Sequence, residues 1–535
     1  MAALLASGGA VAAVIATKPT AQGAGSNEPT TGSSVGDTAA QPGGSAAGRG
    51  NAAPAPPVST AAATAVPTPT PTAPPGPGVR PIIFIPGILG SYLEGSNGQE
   101  IWPQAGALLE CGWVFQDPSC EARDLAPAAF TAGGAPVDGG SGAAAGDGVP
   151  LLGGALSVTS ESWNGFPESQ HWYDITADNA RASGFTVVEP WDDNGLRSCA
   201  ANLRCFIPMG VDWRFSAATV ATAVLAEVNR VLADTHADRV DILAHSQGGL
   251  VAAALAQNPS AVGKIYRIVT LGTPFLGAPK ALTELLLAEP CQFPANKFGF
   301  NRCLIDPTVI QRLMENYPGV AELVPPADYY TAASVLASPL TSNNHLLSYE
   351  EARATADQIL ANPPSGSGLV ARDGSLLDAA NSFHAQIDRW APADPSVGLL
   401  RMVGYDADSS DGCGAAPCPA SQLGRYQPLP VGDPNATITG VDVGTRQMSY
   451  GDGDGTVPLW SASVYNPSTG FDDRGGAHDL YWCGVSHFGL VWSSAVWASS
   501  LNYLTGATTY NADQVGGVCP DGTTGSLPRS LIGAQ

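Results

Sequence analysis

Five residues of this chain have types and an order that suit acyl transfer: Ser246, then Asp452 or Asp454, then His478 or His487. A hydroxyl is a poor nucleophile at neutral pH. It needs a base to take its proton, and the base needs an acid to fix its tautomer and offset its charge. Where a serine nucleophile sits on a strand-to-helix turn, the acid and then the histidine follow it along the chain.

Ser246 stands in DILAHSQGGLVAAALA (Asp241–Ala256). Val240, Ile242 and Leu243 form a short apolar run, as a buried parallel strand does. After Gly249, the residues Leu250, Val251 and Leu255 among alanines suit a helix packed on a sheet. A serine between the two projects its oxygen from a tight turn, with a helix N-terminus beneath that favours negative charge. Ala244 and Gly248 supply the small flanking residues, in the pattern A-x-S-x-G. Alone, the stretch reads equally as a plain strand–turn–helix, so its partners decide.

The acid lies in GDGDGTVP (Gly451–Pro458). Its bland readings are a solvated turn or a calcium loop, but Ser463 occupies the twelfth position, where a calcium loop needs a glutamate. His487 falls between an apolar segment and an amphipathic helix, where a base loop belongs. His478, beside Asp479, reads as a surface turn. His245 precedes the nucleophile and is expected to pack or to hydrogen-bond.

The elements that must position these residues alternate between strand and helix, which implies a parallel α/β sheet. Strands are expected at Ile82–Ile85, Phe185–Val188, Ile265–Leu271 and from Leu399. The first ends in Pro86-Gly87, a loop able to bring a backbone N–H towards a nucleophile on another strand. Helices are expected over Trp172–Gly184 and about Gly489–Leu504, and in Gly210–Asp234, where Val220, Val224, Leu225, Val228, Val231 and Leu232 share a face. Residues 79–535 read as one domain with a lid insertion at about 102–170 and a mostly helical cap at about 280–395.

Residues 1–78 read differently: a signal-like apolar run, then a Gly/Ser/Pro/Thr-rich linker with nothing to bury. The net charge of -23 argues against a nucleic-acid partner. No transmembrane span, cofactor or metal is expected, since no Cys/His cluster has ligand spacing. The ten cysteines fall in neighbouring pairs, Cys111 and Cys120, Cys199 and Cys205, Cys291 and Cys303, Cys413 and Cys418, Cys483 and Cys519. Sequential disulfides and an extracytoplasmic location follow as expectations.

Four motifs together resemble the lecithin:cholesterol acyltransferase family: IPGILGS from Ile85, VDWR (Val211–Arg214), AHSQGG around Ser246, and GDGTVP (Gly453–Pro458) with a histidine 33 residues past Asp454. The resemblance implies an α/β-hydrolase fold and acyl chemistry on a lipid or other ester substrate at a lipid–water interface. It implies Ser246 as nucleophile, Asp454 as acid with Asp452 as substitute, His487 as base, and the N–H groups of Ile88 and Gln247 as oxyanion donors. The Cys111–Cys120 loop with Trp113 resembles the family's lid, and Leu89 is expected beside Trp113 in the acyl site. Ala244, and Gln247 in place of an apolar residue, depart from the family pattern. A polyester depolymerase and a catalytically dead binding protein are the alternatives.

Overall fold

The computed structural model describes residues 78–516, apart from residues 92, 95–99, 103–110, 112–116, 132–135, 138–172, 189–192, 289–293, 298–299, 304, 334–337, 364, 366–368, 389, 406–436, 465–476 and 509–513. The expected leader and linker, Trp113, most of the expected lid, and Cys291, Cys413, Cys418 and Cys519 lie outside the described residues, as does the side chain of Cys303.

Eight strands form one sheet. They are β1 (Ile82–Ile85), β2 (Thr186–Val187), β3 (Cys205–Pro208), β4 (Val240–His245), β5 (Ile265–Leu271), β6 (Gly398–Tyr405), β7 (His478–Cys483) and β8 (Gln514–Val515), in spatial order 8-7-6-5-4-1-3-2. Every pairing in this sheet is parallel. The runs IIFI and VDILAH are buried at every position, as parallel strands covered on both faces must be.

Helices cover the two faces. On one, Ile83, Ile85, Ile242 and Val403 pack against Val220, Val224, Val228 and Val231 of α2 (Ala217–Thr235) and Leu250 and Leu255 of α3 (Gln247–Gln257). On the other, Phe84, Leu243, Val269 and Met402 meet Ala180 of α1 (Asp174–Ala182) and Val496 and Trp497 of α8 (Ser494–Leu504). Alternate strand residues thus serve opposite cores. The expected C-terminal helix is broken in two, because Ser493 Oγ accepts from Val496 N at 3.3 Å and starts α8 afresh. His478 opens β7 rather than lying in a turn, and Asp479 beside it is buried against Arg401.

Between β5 and β6 lie α4 (Pro279–Leu287), α5 (Pro307–Met314), α6 (Tyr349–Ala361), α7 (Ser375–Ile387) and shorter helices. Helix is the main regular structure of this stretch. It also holds the antiparallel pair Pro294–Lys297 with Phe300–Cys303, and Leu340–Ser342, which joins Ile438–Asp442 from beyond β6 in a second, four-stranded sheet. Asp442 fastens that sheet, accepting from Thr341 Oγ1, Asn343 N and Asn344 N at 2.9, 3.0 and 2.5 Å.

Buried charged groups fix the loop after β3 to Ala128 and this region to α2. Arg214 grips Asp212 through Nε and Nη2 at 2.8 and 2.6 Å and donates through Nη1 to Ala128 O at 3.0 Å, with both side chains at 0% exposure. Glu322 Oε2 accepts the first N–H of α2, Ala217 N, at 2.7 Å. His384 bonds the Glu322 carbonyl at 2.7 Å and Asp388 at 2.8 Å. Burial lifts the Glu322 carboxyl to about 7, against the Ala217 bond and the charge of His384. For His384, burial pulls down, but the Asp388 bond and charge and the Glu322 carbonyl outweigh it and hold the ring above its usual value.

Asp212→Ala would leave the Arg214 guanidinium buried without its carboxylate. A loss of about 3–5 kcal/mol is expected in urea unfolding. Protonated Glu322 stabilises the fold below its ordinary value of 4.5, and that contribution is lost as pH rises through about 7. The His384 contribution fades in the same direction. Glu322→Gln cannot ionise, so its urea midpoint should fall less than that of the parent between pH of about 5 and about 8.

Candidate active site

The C-terminal ends of β1, β4, β5, β6 and β7 form one edge, since Ile85 pairs with Ala244, His245 with Leu271, and Tyr405 with Cys483. Ligands in open parallel sheets bind at this edge. Ser246 stands there between β4 and α3, with φ 53 and ψ -129. This conformation is rare for a residue with a Cβ and persists only where its surroundings hold it. Ser246 N donates to Leu271 O at 2.9 Å, and Ser246 O accepts from Gly249 N at 2.9 Å. A Cβ on Gly248 would lie 2.5 Å from the carbonyl oxygens of Ile85 and Pro86, and one on Gly249 would lie 1.9 Å from Thr273 Oγ1. The two glycines after the serine therefore answer two separate contacts.

The loop after β1 approaches from the other side. A Cβ on Gly87 would lie 2.7 Å from Ser246 Cβ and 3.3 Å from Ser246 Oγ. Gly90 N donates to Gly87 O at 3.1 Å, and Leu89 takes the left-handed position of the turn, with φ 62. Trp102 Nε1 donates to Leu89 O at 3.1 Å, and Val211 N to Ser91 Oγ at 2.9 Å. Gly87 N is taken by the hydroxyl of Tyr173, at 3.0 Å. Ile88, the expected donor, comes next in the chain and is half-buried. The Leu89 side chain is buried in the cluster of Leu93, Ile101 and Trp102.

Asp454 and His487 meet at the same edge. His487 Nδ1 and Asp454 Oδ2 are 2.8 Å apart, and His487 N donates to Asp454 O at 2.6 Å. Asp454 Oδ1 accepts from Thr456 N at 3.0 Å and Val457 N at 2.8 Å, so its turn aims the other oxygen at the ring. A carboxylate on Nδ1 leaves Nε2 as the proton acceptor. Asp452 is half-buried in the same turn, and its carbonyl accepts Leu459 N at 3.0 Å. His478 lies at the opposite end of β7.

The link between Ser246 and this pair is short. Leu271, whose carbonyl receives Ser246 N, is followed by Gly272. A Cβ there would lie 2.6 Å from Asp454 Oδ2 and 2.9 Å from His487 Nδ1. The ring of His245 lies 4.6 Å from that of His487.

Gln247 opens α3, with N–H groups that the helix itself does not use. Its side chain points away from solvent, where Nε2 donates to Trp213 O at 3.1 Å and Gly319 O at 2.9 Å. The polar departure at this position is thus fully accommodated. Gly272, Thr437, whose Oγ1 receives Gly455 N at 2.7 Å, and Tyr173 have places in the site that the sequence reading missed. The glycine ending the run IVTLG was the available signal for Gly272. Nothing local marks the other two.

Cys111–Cys120 and Cys199–Cys205 are disulfides, and Cys483 is disulfide-bonded. Among the described residues no helix is long and apolar enough to cross a membrane.

The family model described as Lecithin:cholesterol acyltransferase matches residues 162–362, a stretch that holds Ser246 and Val211–Arg214 but not Asp454 or His487. No curated protein matches. Among solved structures, a chain of the Tle4-Tli4 complex is similar at 15% identity and TM-score 0.45, covering 81% of this chain and 100% of that one. Bacillus licheniformis lipase BlEst2 in mature form is similar at 11% and 0.32, covering 81% and 96%. EstA from Clostridium botulinum is similar at 12% and 0.27, covering 81% and 89%. The fold is defined by the order of the parallel sheet and by the strand–turn–helix at Ser246. Over residues 162–362 the chain carries the pattern of the lecithin:cholesterol acyltransferase family, on an α/β-hydrolase fold.

Proposed function

We propose that the chain is a serine-dependent lipid ester hydrolase or O-acyltransferase that works through an acyl-enzyme. The observation that carries this reading is the bond between His487 Nδ1 and Asp454 Oδ2 at 2.8 Å, one glycine away from the strand end that holds Ser246. His487 Nε2 takes the Ser246 proton as Oγ attacks the ester carbonyl. The carbonyl π pair moves to oxygen, where the N–H groups of Ile88 and Gln247 receive it, each worth roughly 3 kcal/mol in comparable sites. Collapse breaks the ester C–O bond, and the leaving alcohol takes the proton from His487. Water or an acceptor alcohol then repeats the steps in reverse on the acyl-serine.

The family match supports a lipid or related ester as substrate. We read residues about 102–170 as a lid over the acyl site. In support, the helix Pro118–Leu125 is tied by Cys111–Cys120, and its Glu121 accepts Asp306 N at 2.7 Å. We read residues about 280–395 as a cap, and residues 1–78 as a leader and linker. The disulfides support an extracytoplasmic location.

Incubation with a phospholipid or a triacylglycerol, with and without a long-chain alcohol, tests the reading. Free fatty acid that vanishes with Ser246→Ala is expected. New alcohol ester formed at the expense of free acid would mark transacylation. Asp454→Asn should lower kcat by about 10³–10⁴ with the fold intact. Ser246-independent product, or no product from any lipid, would refute the proposal.

A further inference from the structure

Tyr173 and His245 have no part in the chemistry above, yet they join its two halves. His245 Nε2 lies 3.2 Å from the carbonyl oxygen of His487, and its Nδ1 lies 2.8 Å from the Tyr173 hydroxyl. That hydroxyl oxygen also receives Gly87 N–H at 3.0 Å. The wiring fixes every proton. A carbonyl only accepts, so Nε2 of His245 carries the hydrogen and Nδ1 is bare. The Tyr173 hydroxyl must then donate to Nδ1, and its lone pair is left for the Gly87 amide. The Tyr173 hydroxyl and both His245 ring nitrogens are thereby matched, as burial requires. Tyr173 and His245 are 4% and 1% exposed, so water does not compete. Burial, and next the nearby His487, hold His245 far below its usual value, so the ring stays neutral.

From these contacts we propose that Tyr173 and His245 are positioning residues. They form a strut, Gly87 N–H to Tyr173 O–H to His245 to His487 C=O, that sets the oxyanion loop and the base loop at a fixed separation. The inference rests on the proposed function above. One end of the strut is the residue before Ile88, and the other is the backbone of the base itself. Its span passes directly behind Ser246, because His245 is the preceding residue on β4. The Tyr173 ring is held edge-on against Phe84 of β1, with centroids 4.9 Å apart, so the strut is anchored to the sheet. A displacement of either loop would misplace an oxyanion donor or the base, and errors near 1 Å cost up to about a hundredfold in rate.

The test uses the full chain and hydrolysis of p-nitrophenyl butyrate. Tyr173→Phe keeps the ring packing and removes only the hydroxyl. We expect kcat to fall on the order of tenfold to a hundredfold, with KM within about twofold, since only transition-state contacts are disturbed. His245→Asn keeps an acceptor for Tyr173 and loses the bond to His487, and it should fall similarly. The double variant should be no worse than the poorer single one, because one strut can be broken only once. Heteronuclear NMR of isotope-labelled histidine should show His245 protonated at Nε2 in the parent. Parental kcat in Tyr173→Phe, multiplied losses in the double variant, or the opposite tautomer would each overturn the strut. Should Ser246→Ala keep full activity, the proposed function fails, and the NMR readout still decides the strut.

Discussion

The structure turns on a backbone-against-backbone contact that leaves no room for a side chain. The end of β1 and the start of α3 approach so closely that a methyl on Gly248 would strike two carbonyl oxygens, and one on Gly87 would strike the serine itself. This contact holds Ser246 at a φ of 53, a conformation that its own Cβ disfavours. It also places the loop after β1 beside Ser246, with Gly87 packed against the serine side chain. The strain at Ser246 and the approach of the loop after β1 are therefore two results of one packing constraint.

The rest of the site is fixed by hydrogen bonds whose partners come from far along the chain. The Asp454 turn spends one oxygen on its own backbone and the other on His487. Gln247 fastens the elbow to Trp213 and Gly319, and Gly319 N in turn reaches Arg214 O. Through Arg214 and Asp212 the same network extends to Ala128. In a buried setting such ties fix geometry more than they add stability, because each group would otherwise remain hydrated.

Much of this could be read from the chain. The apolar runs of β1, β4, β5 and β6 and the valine stripe of α2 announced themselves because burial on both faces, or on one helix face, leaves a periodic mark. The order serine, acid, histidine was legible because Asp454 lies in a turn whose glycines and Thr-Val pair stand out. The second sheet was not. Leu340–Ser342 is three residues long and pairs with Ile438–Asp442, so its stabilising contacts are remote and leave no local pattern. Tyr173 and the Gln247 amide escaped for the same reason, since Tyr173 bonds Gly87 and His245 and the amide bonds Trp213 and Gly319, all of them remote in sequence. The break at Ser493 was in view, as a serine before a helical run, but helical periodicity continued across it.

The position of β1 in the middle of the sheet bears on how the chain reaches this state. The first strand pairs with β4 on one side and β3 on the other, so Ile82 lies beside Asp241 and Phe206 and beside nothing near it in sequence. No hairpin can start such a sheet. Both pairings of β1 close loops of more than a hundred residues before any contact rewards them, and sheets built this way assemble slowly, with apolar strand edges open in the meantime. Ile82–Ile85 would be the first of the described strands to leave the ribosome and must wait for the β3 and β4 segments before its two edges are covered. The same central strand that makes the elbow rigid once formed makes the early chain dependent on something that keeps it from aggregating.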